Sequence, residues 1–341
     1  MKRRQFFRYA GLLPIEMRSA LNYFSEFELL NHLKGKVIEI MKRNPKKNDF
    51  YKMFKKGFFA LTGTEDINEA RSSFLNKKDI IGIKINTNHL QCFTHKALID
   101  VVIDSLLDFG LQKNQIIVWD RFKNIYGLQN VGYNLQNDPS EIRWLTSDTQ
   151  GMGYDRNHYY YHSCVDEEKK GWYAESEVFW NPQRSYFSKI VTRMVTKIIN
   201  IPTLKHHSIA GVTLSLKNLS FGATNNTPRF HSGGYLQAIP GIYNTKWLKE
   251  KSILHIIDGI KGVFDKGPVD HGSEYTWEEG RLIMSTDPVA GDIYGLSLIN
   301  KERKRRSLPL IRDSERGLNY LVKAYQNGLG SDSPKVISLR V

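Results

Sequence analysis

A strand–helix–strand pattern in the first third of the chain constrains the fold most. Ile80 to Ile85 is an apolar run typical of a buried strand. Thr94 can cap a helix that runs to about Phe109, where a glycine follows, and Gln115 to Trp119 is a second run rich in β-branched residues. These lengths predict a βαβ unit, whose two strands are parallel and belong to one sheet.

Other segments extend this pattern along the chain. Strands are predicted at 36–41, 252–257, 281–285 and 336–341, and helices at 50–61, 67–75, 186–199, 235–243, 288–299 and 315–325. We therefore expect an α/β fold with a largely parallel mixed sheet flanked by helices, and an irregular insert around residues 122–184. Residues 35–341 are expected to form a single α/β domain, with two lobes as the alternative.

Residues 201 to 231 combine an apolar backbone segment with many polar side chains. Val212, Leu214, Leu216 and Leu219 suit a buried segment, yet lysines, histidines, asparagines and an arginine lie among and beside them. Burying an unpaired amide or charge costs several kcal/mol, so these groups need partners. We expect this stretch to form the floor of a ligand site.

The same stretch resembles a known family. Its motifs are LK-x-H, AGVT-x-x-LKN-x-SFG and N-x-x-RFH, joined by GIKIN at 82–86, IIVWDR at 116–121, IDGIKGVFDKGP at 257–268 and STDPVAGD at 285–292. In this order they are similar to the domain of unknown function 362 family of bacterial and archaeal proteins. The resemblance spans about residues 35 to 341 and implies no particular reaction.

In a parallel sheet, ligands bind beyond the carboxyl ends of the strands. That rule predicts a site built from side chains far apart in sequence. The expected ligand-binding residues are Lys84, Asn86, Asn218, Asn226 and Arg229, and the expected catalytic residues are His231 and Lys217. Cations among amides favour a small anionic ligand, a carboxylate or a phosphate. Among these side chains only His231 has an ordinary pKa near neutrality, which suits proton transfer.

Two alternatives remain open at this point. Asp258 and Asp292, with His231, could hold a divalent metal for a metal-dependent enzyme. Alternatively, the protein binds a solute or a partner in the same pocket without turnover. A catalyst needs a titratable group with a shifted pKa, whereas a binder needs only charge and shape.

The net charge of +14 is unevenly distributed. Residues 1–60 hold fourteen Lys and Arg against five Asp and Glu, and the run KERKRR at 301–306 holds five against one. A nucleic-acid binder more often spreads basic residues over a folded face among aromatics. We therefore expect solvated charge and no nucleic-acid partner.

Residues 1–34 form either a basic arm or a degenerate twin-arginine signal. Arg3, Arg4, Phe6, Phe7 and Arg8 match the export pattern, but Pro14 and Glu16 interrupt the apolar stretch that should follow. Export to the periplasm and a cytoplasmic location both remain open. No run of the sequence approaches the roughly 18 apolar residues of a membrane span.

Cysteine content and motifs limit the cofactors. Cys92 and Cys164 are the chain's two cysteines, fewer than the four thiolates of a cysteine-ligated iron–sulfur cluster. We expect free buried thiols rather than a disulfide. No dinucleotide fingerprint or phosphate-loop motif occurs, so we expect no such cofactor, and a divalent metal stays a possibility.

Overall fold

A computed structural model describes residues 33–122, 135–148, 152–165, 181–268, 272–311 and 319–341. Most of the predicted basic arm, residues 1–32, lies outside this part of the chain. The strands are β1 Lys36–Met41, β2 Ile81–Ile85, β3 Ile116–Asp120, β4 Arg143–Thr146, β5 Tyr154–Tyr161, β6 Arg184–Ser188, β7 Lys197–Ile201, β8 Thr203–His207, β9 Gly211–Thr213, β10 Ser252–Val263, β11 Thr276–Ser285 and β12 Lys335–Arg340. The helices are α1 Lys47–Thr62, α2 Ile67–Ser72, α3 Lys96–Phe109, α4 Ser215–Gly222, α5 Tyr235–Tyr243, α6 Pro288–Arg305 and α7 Asn319–Gln326.

The fold is α/β, with a mostly parallel mixed sheet of ten strands flanked by helices, as expected. Its main path runs β12-β1-β11-β10-β7-β2-β3-β4, and β8 and β9 attach beside β10. Strands β10, β7, β2, β3 and β4 are parallel to one another, whereas β11 is antiparallel to both neighbours. A separate antiparallel pair joins β5 and β6.

The predicted βαβ unit is confirmed. Strands β2 and β3 pair in parallel, with Ile81 opposite Ile116, and α3 connects them. The helix begins one residue later than predicted, because His95 occupies the cap position. The Thr94 hydroxyl instead donates to the Ile201 carbonyl at 2.9 Å and accepts from the Asn86 amide, so it ties β2 to β7.

Both faces of the central strands are buried, as is usual for parallel strands, whereas the edge strand β12 is largely exposed. Side chains along β3 alternate between two apolar cores: Ile116 and Val118 contribute to one, and Ile117 and Trp119 to the other. Helices α1 and α3 cover the first core, and α4, α5 and α6 cover the second. Among the described residues, no helix combines the length and the apolar character needed to cross a membrane.

One local prediction is wrong. Residues 186–199 do not form a helix: β6 ends at Ser188, one wide helical turn spans Ile190–Met194, and β7 begins at Lys197. Ile198 and Ile199 are instead packed in the sheet, one on each face, where β-branched side chains fit well. The described parts of the insert at 122–184 include β4, which joins the main sheet, and β5, which pairs with β6.

Candidate functional site

A cavity opens at the carboxyl ends of β2 and β3, where the chain changes direction across the sheet. From β2 the chain moves through α3 to β3 and on towards β4, whereas β7, on the other side of β2, leads to β8 and β10. Such a switch point leaves a crevice between neighbouring strand ends, the common ligand position in open α/β sheets.

The cavity has a volume of about 110 Å³. This space suits a small molecule or one charged group of a larger one. Its lining residues come from the ends of β2 and β3, the β8–β9 hairpin, α4, the segments that follow these elements and the segment after β10: Lys84, Asn86, Asn88, Asp120, Arg121, Phe122, Lys205, His207, Thr213, Lys217, Asn218, Phe221, Gly222, Thr227, His231 and Pro268. Four of these side chains are cationic and one is a carboxylate.

Lys84 is a fully buried cation with a full set of acceptors. Only 1% of its side chain is exposed, and its ammonium donates to Asp120 Oδ1 at 2.7 Å, to the Ile85 carbonyl at 2.6 Å and to Asn218 Oδ1 at 3.3 Å. Burial lowers the pKa of Lys84, and Asp120 opposes that effect. This lysine therefore organises the floor of the cavity.

Asp120 is held by four donors. Besides Lys84, it accepts from the Arg121 amide and from the amide and hydroxyl of Thr87, each at 2.7 Å. Burial alone would raise the pKa of Asp120, but Lys84 and the other donors hold it below the usual value. The carboxylate thus fixes the loops that follow β2 and β3.

Gly222, at the end of α4, lies directly against Lys84. A methyl group at this position would overlap the Lys84 Cε atom, so glycine lets the helix come this close without displacing the end of the lysine side chain. This close approach brings α4, and with it Lys217 and Asn218, to the strand ends.

The side-chain amides of Asn86 and Asn218 connect Lys205 to Lys84, which also donates to Asn218. Lys205 donates to Asn86 Oδ1 at 2.8 Å and to the Asn88 carbonyl at 3.1 Å. Asn86 donates to Asn218 Oδ1, and Asn218 donates to Asn200 Oδ1, both at 2.8 Å. Burial lowers the pKa of Lys205 to about 8, and both acceptors of its ammonium are uncharged.

Lys217 lies in the first turn of α4 and is half-buried. Among the described residues its ammonium has no hydrogen-bond acceptor or ion-pair partner, and it lies 5.2 Å from the centre of the Phe221 ring. Burial, reinforced by Lys205 and Arg121, lowers the pKa of Lys217 to about 7. Near neutral pH this lysine is therefore divided between amine and ammonium.

Two histidines line the same cavity. His207 Nδ1 accepts from the amides of Ile209 and Ala210, so the ring proton of the neutral form lies on Nε2. Burial, with the nearby cations, lowers the pKa of His207 well below its usual value. His231 is half-buried, with its ring centre 6.2 Å from that of His207.

Thr213 provides a further polar group. It lies directly opposite Lys205 in the β8–β9 pair, and only 6% of the residue is exposed. Within the described part of the chain its hydroxyl has no hydrogen-bond partner. A buried polar group without a partner is unfavourable, and a ligand that supplied an acceptor or donor would relieve that cost.

Of the residues predicted from sequence, Lys84, Asn86, Lys217, Asn218 and His231 meet at this cavity. Lys205, His207, Asp120 and Thr213 were not included in the predicted site. The sequence did contain one indication of two of them: Lys205 and His207 are two residues apart in a strand, so their side chains point to the same face of the sheet.

Arg229 and Asn226 do not line the cavity. Arg229 donates to the carbonyls of His162 and Cys164 at 2.7 and 2.8 Å and to the Ser185 hydroxyl. Asn226 has a left-handed backbone, with φ of 47°, and its amide donates to the carbonyls of Pro182 and Arg184. Both side chains join the segment after α4 to the β5–β6 region.

The two predicted metal ligands are also elsewhere. Asp258 accepts from the amide of His95 at 2.7 Å and pairs with its ring at 2.9 Å. Asp292 accepts from the amides of Ser215 and Leu216 at 2.7 and 3.0 Å and so caps α4, although burial raises its pKa to about 7. Among the described residues, no three His, Cys, Asp or Glu side chains are grouped to hold a metal.

Comparisons with known proteins agree with the resemblance seen in the motifs. A search of curated proteins gives no significant match. The model of one family, described as Domain of unknown function (DUF362), matches residues 81–297, which is more than half of the chain and includes all of the residues that line the cavity. The chain therefore belongs to the DUF362 family.

Proposed function

We propose that this protein binds a small anion, a carboxylate or a phosphate, in the cavity at the ends of β2 and β3. The observation that carries the proposal is the charge of the lining: Lys84, Arg121, Lys205 and Lys217 face a single carboxylate, Asp120. Because Lys84 already pairs with Asp120, Lys205 and Lys217 have no carboxylate partner within the part of the chain that the structure describes.

Energetics support an anionic ligand. A buried charge without a counter-charge is unfavourable by several kcal/mol, and a bound anion would offset that loss. Binding groups of several kinds converge there: the ammonium of Lys217, the hydroxyl of Thr213 and the Nε2–H of His207. Such donors suit carboxylate or phosphate oxygens, which accept several hydrogen bonds each.

The test is isothermal titration calorimetry of the full chain with sulfate, inorganic phosphate and pyruvate at low ionic strength, where screening is weak. Wild type is expected to bind at least one of these anions. Lys217→Met and Lys205→Met should each weaken that affinity by at least about tenfold, since a charge-assisted hydrogen bond contributes about 1.5–3 kcal/mol.

Lys304→Met is the matched control, because it removes the same charge from an exposed position in α6. It should bind like wild type. Thermal melting of Lys217→Met should be unchanged or higher, since within the described residues this ammonium pairs with no carboxylate. Absence of binding by wild type, or an equal loss in the Lys304 variant, would refute the proposal.

A further inference from the structure

The three lysines that line the cavity differ in what holds their ammonium groups. Lys84 has three acceptors, one of them the carboxylate of Asp120, and Lys205 has two neutral acceptors. For Lys217 the described residues supply none. Lys84 is thus committed to the protein, Lys205 keeps one of its three N–H donors for a ligand, and the Lys217 nitrogen is available to one.

The surroundings of Lys217 favour the neutral amine. Its neighbours are the Phe221 ring and the cations Lys205 and Arg121, and no carboxylate of a described residue pairs with it. Lysines become nucleophilic when desolvation or a second cation promotes loss of the proton. The lowered pKa of Lys217, about 7, is consistent with this geometry.

We propose that Lys217 is a nucleophilic amine that forms an imine with the carbonyl carbon of a small 2-oxo carboxylate. This inference rests on the proposed anion site and specifies its substrate class. A 2-oxo acid carries its carboxylate on the carbon next to the carbonyl, so Lys205 and Arg121 would bind the charge while Lys217 meets the adjacent carbon. The cavity of about 110 Å³ suits a compact acid of this kind.

The reaction balances without another reagent. The lone pair of the Lys217 nitrogen forms a bond to the carbonyl carbon, and one proton moves from nitrogen to the former carbonyl oxygen to give a carbinolamine. The hydroxyl then takes one further proton and leaves as water, and the nitrogen lone pair forms the C=N bond. His231 is the residue we assign to supply that proton, and the Nε2–H of His207 can donate to the oxygen.

The test is reductive trapping of the full-length protein. Pyruvate and sodium cyanoborohydride convert an iminium to a stable secondary amine, which intact mass and peptide mapping locate. Wild type should carry one adduct on Lys217, and excess sulfate should suppress it. Lys217→Arg keeps a cation but lacks a nucleophilic amine and should carry none, whereas Lys304→Arg, the matched surface exchange, should label like wild type.

The outcomes separate this inference from the proposed function. Anion binding without an adduct on Lys217 would overturn the imine and leave the anion site standing, and loss of both would overturn both. Adducts spread over surface lysines, or a sulfate-insensitive adduct, would also overturn the imine. Mapping the adduct in wild type keeps the test valid even if Lys217→Arg fails to fold.

Discussion

Replacing Asp120 with asparagine tests whether the floor of the cavity depends on its buried ion pair. The change removes the counter-charge of Lys84, which is 1% exposed and lies 2.7 Å from the carboxylate. One carboxylate oxygen of Asp120 accepts from the Arg121 backbone amide, and the other accepts from the Thr87 backbone amide. The NH₂ group of asparagine would replace one of these two oxygens, so at least one backbone donor loses its acceptor.

The expected loss can be estimated from these contacts. Breaking a buried pair by removing one partner costs about 3–5 kcal/mol, because the other charge stays buried. An unsatisfied buried donor alone costs about 1–3 kcal/mol, and the two effects overlap rather than add. We therefore expect Asp120→Asn to lower the free energy of unfolding by about 3–5 kcal/mol, a large share of a typical 5–15 kcal/mol.

Urea unfolding at pH 7, followed by circular dichroism, measures this loss. Lys84→Met removes the other charge, so the double variant should be more stable than the sum of the single changes implies, by about 1–3 kcal/mol. A loss below about 1 kcal/mol for Asp120→Asn, with an unchanged denaturant slope, or strictly additive changes in the double variant, would refute the reasoning.

The same pair predicts a pH dependence with a definite sign. The pKa of Asp120 is lower in the folded protein than in the unfolded chain, where it is about 3.9. Its stabilising contribution is therefore complete above about pH 4 and is lost as the pH falls through the folded value. Wild type should lose more stability than Asp120→Asn over that acid range.

Three further predictions concern other parts of the protein. Sulfate affinity should fall as the pH rises from about 6 to 9, because Lys217, with a pKa of about 7, loses the charge that binds the anion, and calorimetry at both values checks this. Asp287→Ala should lower the free energy of unfolding, measured in urea, by about 2–4 kcal/mol. The Asp287 carboxylate caps α6 by accepting from the Ala290 amide, and it also accepts from two other backbone amides. Asp332 is exposed, so the control Asp332→Ala should change that free energy little. Cys92 is buried with a pKa raised to about 12, so a thiol reagent should label the half-buried Cys164 first in the native protein, and equal rates would contradict this.

Much of the fold was predictable because local patterns and tertiary packing agree. The apolar runs of β2 and β3, with an amphipathic helix between them, predict a parallel pair and therefore which end of the sheet carries the site. Lys84, Asn86, Lys217 and Asn218 were predicted by that rule, since each lies at a strand end or in the motif that resembles the family.

The helix predicted at 186–199 shows where periodicity fails. A short apolar run can suit either a helix or a strand that is buried on both faces, and only the sheet decides which applies. The position of β7 between β10 and β2 provides that burial and makes the segment after Lys197 a strand.

Side-chain direction was decided by the tertiary structure alone. Sequence alone identified Arg229, Asn226, Asp258 and Asp292 as polar groups near the site, but each is directed to a backbone group elsewhere. Lys205 reaches the cavity because the β8–β9 hairpin folds beside β10. Residue type and spacing determine which groups require partners, whereas distances between distant segments determine which partners they find, because burial penalties depend on position in space.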